Sequence, residues 1–167
     1  MKIKIFNLLL LFSLIGFVIS CDRVGDGDVS DDQGGTTTQD MAGDWYVKFT
    51  IDGQDVYNLG YTLLSTYNTA ANNGQEMWID DHANTWEYKV KTPINYGAKT
   101  FGGSNLQNQS YDVTMNITEG KILKGAATTS GGNKSDSIVF KVEFADDPGT
   151  IYTVGGYKRT GFAEDEH

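Results

Sequence analysis

The sequence predicts an all-β fold: one antiparallel, eight-stranded up-and-down barrel. Three observations carry this. From Trp45 onward apolar residues alternate with polar ones, the two-residue period of strands. Turn residues such as Asp52-Gly53, Asn72-Asn73-Gly74 and Asp146-Asp147-Pro148-Gly149 separate the alternating runs at short, regular intervals. No stretch of the folded part carries a firm helical period. Such strands suit a barrel or a sandwich, and closure into a barrel removes the exposed edges that invite aggregation.

The first strand opens at Gly43, with Trp45, Val47, Phe49 and Ile51 on one face and Tyr46, Lys48 and Thr50 on the other. Residues 61–66 make a weaker strand, within a stretch (57–71) whose leucines also fit a short helix. Residues 76–80 set Met77 and Ile79 against Trp78. Trp86, Tyr88 and Val90 alternate with Glu87, Lys89 and Lys91, and Pro93 limits that strand or marks its end. The Gly/Asn/Gln-rich stretch 96–110 reads as a long loop. Tyr111, Val113, Met115 and Ile117 define the next strand, and Glu119-Gly120 reads as a tight hairpin turn into 121–127. A polar loop leads to 137–144, with Ile138, Phe140, Val142 and Phe144 on one face, and the last strand covers 151–157.

The residues ahead of this domain carry an address. Lys2 and Lys4, an apolar run over 5–19 and Ser20 make a secretory signal over residues 1–20. Cys21, the only cysteine, follows directly. The run is shorter than the ~20 residues of a membrane-spanning helix, and Asp22 and Arg23 stand behind it. The arrangement resembles the lipobox of bacterial lipoproteins, which implies acylation of Cys21 and a membrane anchor. Residues 21–40, dominated by Gly, Asp, Ser and Thr, are expected to form a flexible acidic tether, leaving 41–167 as the barrel domain. The acidic cluster behind the cysteine is similar to the export signals of Bacteroidota surface lipoproteins. The implied location is the outer membrane, lipid-anchored, at the cell surface, with the inner leaflet of the outer membrane as the alternative.

The chain has 13 basic and 22 acidic residues, a net charge of −9. That argues against nucleic-acid partners, which need a basic footprint, and against membrane attachment through a polybasic patch. No phosphate-binding loop or cofactor fingerprint is present, so no cofactor is expected. Asp80, Asp81 and His82 offer oxygen and nitrogen ligands, but consecutive strand residues point to opposite faces, so no metal site is expected. His82 could serve a catalytic triad, yet no Gly-X-Ser-X-Gly elbow accompanies it, and Gly102-Gly103-Ser104 reads as plain loop. No catalytic residue is assigned, and the balance leans against an enzyme.

Gly43-Asp44-Trp45 is similar to the Gly-X-Trp of lipocalin-like (calycin) barrels, and Gly156-Tyr157-Lys158-Arg159-Thr160-Gly161-Phe162 supplies a late arginine. With the lipobox, residues 41–162 resemble the small Bacteroidota lipoprotein family named "lipid-binding putative hydrolase". The resemblance implies a calycin-like barrel whose Trp45 plugs one end, with Arg159 packed across it as a cation–π lid. It supplies no catalytic residues. A barrel of eight strands is either filled or holds one small ligand. The residues expected inside are Val47, Phe49, Tyr88, Val90, Val113, Met115, Phe140 and Val142. The expected function is non-catalytic binding of a small apolar or lipid-like ligand. The alternatives are an interaction or glycan-binding module, with Trp78 as a sugar platform, and then a hydrolase.

Overall fold

The computed structural model describes residues 35–167. The signal, Cys21 and the tether as far as residue 34 lie outside them. Eight strands form a closed antiparallel barrel: β1 (Gly43–Thr50), β2 (Thr62–Asn68), β3 (Glu76–Asp80), β4 (Lys89–Asn95), β5 (Thr100–Gln107), β6 (Thr114–Thr128), β7 (Lys134–Phe144) and β8 (Tyr152–Lys158). Each pairs with its neighbour in sequence, and β8 returns to β1 with Trp45 opposite Lys158 and Val47 opposite Gly156. The leucine-bearing stretch that also fitted a helix is strand β2. The compact unit is Thr36–His167. It holds a complete closed core, as a domain that folds alone requires.

Two local expectations change while the count of eight survives. The loop expected at 96–110 contains β5, whose alternation is weak because only Phe101 is buried and Leu106 partly so. The hairpin expected at Glu119-Gly120 does not form, and β6 runs straight through it. Glu119 takes a left-handed φ of 55°. The register shifts there, with Thr118 opposite Lys141 and Lys121 opposite Val139. Turn chemistry has been spent on a bulge that bends one long strand.

The β4–β5 seam is the thinnest in the barrel. Its ladder consists of Ile94 opposite Phe101 and Asn95 opposite Thr100, with an isolated bridge from Val90 to Asn108. Between these anchors β5 has three more residues than β4, so it arcs away. Pro93 sits in that gap. The Ile94 N–H donates to the Gln75 carbonyl on the β3 side, so the ring nitrogen of Pro93 faces β5, where no ladder bond is missing.

The residues before β1 also pack. Thr38 and Met41 are fully buried. The Thr38 hydroxyl donates to Asn68 Oδ1 (3.1 Å) and Lys99 Nζ pairs with Asp40 (2.9 Å). At this end Trp45 is wholly buried, and its indole N–H donates to Thr66 Oγ1 (2.8 Å), which in turn donates to the Met41 carbonyl (2.7 Å). After β8 the chain folds back over the β6–β7 turn. Buried Asp165 accepts from the Gly131 N–H (3.0 Å), Asn133 Nδ2 (3.0 Å) and the Thr160 hydroxyl (2.6 Å). Burial pushes its pKa up, but hydrogen bonds from Thr129, Thr160, Asn133 and Gly131 outweigh that and hold it at about 2.

The β1–β8 closure needs glycine at one position. A Cβ on Gly156 would run into the Tyr46 carbonyl oxygen and come within 2.7 Å of the Val47 Cα, both backbone that cannot rotate away. Gly155 has no neighbour closer than 3.6 Å. Gly156→Ala is therefore expected to destabilise the domain by about 3 kcal/mol or more. Gly155→Ala should change it by less than about 1 kcal/mol, both read by urea unfolding.

Candidate ligand-binding site

In an up-and-down barrel alternate loops share an end, so the β1–β2, β3–β4, β5–β6 and β7–β8 loops surround one mouth, opposite the end that Trp45 fills. Three of them are each organised by an aspartate. In the β1–β2 loop, Asp55 accepts the N–H groups of Leu59 (3.0 Å) and Gly60 (2.7 Å). Those N–H groups, Gly60 foremost, hold its carboxyl below the ordinary carboxylate range. In the β3–β4 loop, nearly buried Asp81 accepts the N–H groups of Ala83 (3.0 Å), Thr85 (3.0 Å) and Tyr88 (2.8 Å) and the Thr85 hydroxyl (2.8 Å). Its lone pairs are thus committed to the chain. In the β7–β8 loop, Asp147 accepts the hydroxyls of Tyr152 (2.6 Å) and Thr150 (3.1 Å). The Tyr152 and Tyr57 hydroxyls lie 3.1 Å apart, which ties this loop to the β1–β2 loop. Burial first, then the bonds to Asp147 and Tyr57, push the Tyr152 pKa up strongly.

These loops frame an aromatic floor. Phe49 stacks on Tyr152 with centroids 4.4 Å apart, and Trp86 stacks on Phe144 at 5.3 Å and leans on Tyr152 at 5.4 Å. Pairs at such spacings stabilise by about 0.5–1.5 kcal/mol each beyond their burial. Above the floor an apolar cleft of about 170 Å³ is lined by Phe49, Tyr57, Leu59, Thr85 and Trp86. A second depression of about 420 Å³, lined by Thr85, Trp86, Glu87, Tyr111 and Asp146, adjoins it across Trp86. Exposed large apolar side chains gather here: Val56, Tyr57 and Leu59 on the first loop and Ile151 on the last.

The eight residues expected inside are all buried, none more than 7 % exposed. Seven of them join the core cluster, while Val113 packs just ahead of β6. A cavity wide enough for an alkyl chain would leave accessible surface on its walls, so these side chains fill the interior. Trp86, expected on a strand, lies instead in the loop before β4, where Glu87 takes a left-handed φ of 52°. Tyr57 and Leu59 lay in the ambiguous helix-or-strand stretch. The apolar run Val56-Tyr57-Asn58-Leu59 directly behind the turn residues Asp52-Gly53-Gln54-Asp55 was the signal that could have marked this loop.

The lid over Trp45 is Lys158, with Nζ 5.7 Å from the ring centroid, and not Arg159. Lys158 stands directly opposite Trp45 in the ladder, whereas Arg159 follows it and turns to the other side. There Arg159 grips Glu166 through Nε and Nη2 (2.7–3.0 Å). Trp78 is covered on the outer wall by Lys89 and Lys91, whose ammonium groups lie 5.6 and 5.3 Å from its ring.

His82 does meet a serine. Its Nε2 lies 2.7 Å from Ser65 Oγ, and Nδ1 lies 3.7 Å from Asp80 Oδ1. The Ser65 hydroxyl, however, has one proton and donates it to Asp44 Oδ1 (2.6 Å). His82 Nε2–H is then the donor toward Ser65, the reverse of nucleophile activation. Asp44, Ser65 and Asp80 are neighbours across β1, β2 and β3 on the outer wall. Among the described residues no cluster of three or more His, Cys, Asp or Glu could hold a metal ion.

A closed eight-stranded barrel, plugged by a tryptophan at one end and open to an aromatic cleft at the other, defines a small calycin-like barrel protein. The sequence profile of the family described as "Lipid-binding putative hydrolase" matches residues 30–163, and the chain belongs to that family. A search of curated proteins finds no matching relative.

Because Asp81 accepts the N–H groups of Ala83, Thr85 and Tyr88, Asp81→Ala should leave three N–H groups of the β3–β4 loop without their acceptor. A loss of roughly 2–4 kcal/mol is expected, together with faster amide exchange at Ala83, Thr85 and Tyr88 than at β7 amides. Protection unchanged at those three would show that the loop is held by its aromatic packing instead.

Proposed function

We propose that this protein is a membrane-anchored envelope lipoprotein that binds a small apolar or lipid-like ligand at the mouth of its barrel, without chemical change to the ligand. The observation that carries the reading is the apolar cleft walled by Phe49, Tyr57, Leu59 and Trp86, in a chain whose family is a lipid-binding one. Concave, mostly apolar sites with a few polar groups are the usual form of small-molecule sites. The filled core moves the ligand from the interior to the rim, where side chains are already exposed.

Hydrolysis is the second reading, favoured by the contact between His82 and Ser65. The commitment of the Ser65 proton to Asp44 speaks against it. So does the position of the array, on the outer wall rather than in the cleft. An interaction or glycan-binding role through Trp78 is disfavoured by the two lysines over its ring.

The test is titration of residues 36–167 with a medium-chain alcohol, followed by tryptophan fluorescence and native mass spectrometry. Binding is expected, and Trp86→Ala should weaken it tenfold or more, about 1.4 kcal/mol. Ser65→Ala should bind as the parent does. Turnover of a p-nitrophenyl ester that disappears in Ser65→Ala would favour hydrolysis instead.

The anchor is tested separately in cells. Cys21→Ser should move the full-length protein from the membrane to the soluble fraction while its barrel stays resistant to proteolysis. Retention of that variant on membranes would place the attachment elsewhere than at the acyl chains.

A further inference from the structure

The turn Asn72-Asn73-Gly74 between β2 and β3 belongs neither to the mouth nor to the outer-wall array around His82. Among the described residues Asn73 is the asparagine that precedes a glycine. An asparagine can close a ring on its own chain, because the nitrogen of the next peptide lies within reach of its side-chain carbonyl carbon. In a folded protein that nitrogen must be unhindered and free of a hydrogen bond, and the side chain must fold over it.

Asn73 meets all three conditions. Gly74 has no Cβ to obstruct the approach. Among the described residues no acceptor takes the Gly74 N–H. The N–H groups that follow Asn58, Asn84 and Asn108 are instead committed to Asp55, Asp81 and the Lys89 carbonyl. The Asn73 side chain is exposed, and its Oδ1 accepts the Gln75 N–H (3.0 Å). That bond, two residues on, draws the amide over the Gly74 peptide it spans. The neighbouring Asn72 amide is held elsewhere, its Oδ1 accepting the Thr37 N–H (2.9 Å) and Asn68 Nδ2 (3.1 Å).

We propose that Asn73 is a site of spontaneous covalent modification, passing through a cyclic imide with Gly74 to an isoaspartyl residue, and that this loosens the chain where it enters the barrel. The Gly74 nitrogen gives its proton to a solvent base and bonds to the Asn73 side-chain carbonyl carbon. The bond from that carbon to the amide nitrogen breaks, and the nitrogen takes a proton from solvent and leaves as ammonia. Water then opens the imide. Attack on the former side-chain carbonyl leaves an aspartyl residue, and attack on the former main-chain carbonyl leaves an isoaspartyl one. The isoaspartyl form lengthens the main chain by a methylene and adds a carboxylate. Gly74 lies against Thr37, whose Cβ stands 3.5 Å from where a glycine Cβ would be, and the Thr37 N–H is held by Asn72. A longer loop shifts both supports of Thr37. The proposal is independent of what the mouth binds.

The folded domain, residues 36–167, is incubated at mildly alkaline pH and followed by peptide mass spectrometry with fragmentation that separates aspartyl from isoaspartyl residues. Conversion at Asn73 is expected to run roughly tenfold or more ahead of every other asparagine, the advantage of a nucleophile already beside its carbonyl. It should quicken as pH rises and yield both acids. Asn73→Gln should abolish it, with circular dichroism and the melting temperature unchanged. In the converted protein the Thr37 amide should exchange faster than in the parent, with β7 amides unaltered. Conversion at Asn73 no faster than elsewhere, alongside ready conversion in urea, would show that the fold protects the turn and would overturn the proposal. An aspartyl product without isoaspartyl would overturn the cyclic route, and unchanged exchange at Thr37 would overturn the loosening.

Discussion

Side chains occupy the barrel interior from end to end, and this constraint decides where the rest of the chemistry can sit. Trp45, Thr66 and Met41 seal one end by hydrogen bonds as well as by packing. Phe49, Tyr152, Phe144 and Trp86 seal the other mainly by stacking, with the Tyr152 hydroxyl tied to Asp147 and Tyr57 at the rim. Interiors packed at this density do not admit a guest without losing contacts worth as much as the guest supplies. The difference between the seals matters. A hydrogen-bonded plug fixes one geometry, while a stack of rings presents apolar surface wherever its outermost member faces outward.

The acidity of the chain is partly structural. Asp55, Asp81, Asp147 and Asp165 each spend their oxygens on N–H or hydroxyl groups of loops that would otherwise have few internal bonds. A carboxylate can accept several such bonds at once, so one aspartate can organise a loop of six or eight residues. Where lysines stand over rings or pair across strands, as Lys89 does with Asp80, charge is balanced on the outer wall.

Strand alternation made the barrel legible: Trp45, Val47 and Phe49, or Ile138, Phe140 and Val142, could only face one way. The count of eight was reached through two offsetting misreadings. β5 escaped because Gly102, Gly103, Ser104 and Asn105 have little to bury, and β6 was split because Glu119-Gly120 carries the same local chemistry in a bulge as in a turn. The plug at Trp45 was visible, but its cation was read one residue too late. Only the ladder register tells which of Lys158 and Arg159 stands across from it. The candidate site was the least legible part. Tyr57, Leu59, Trp86 and Asp146 come from three loops, and their meeting depends on closure of the whole barrel.

That closure has a consequence for timing. β1 is the first strand to leave the ribosome and β8 the last, and their pairing is what removes both free edges. A nascent chain short of residue 158 exposes the unpaired sides of β1 and β7, and no earlier subset of strands can form the finished core. Contacts so distant in sequence form slowly. Until the last strand arrives the polypeptide keeps two open strand edges, and these need protection.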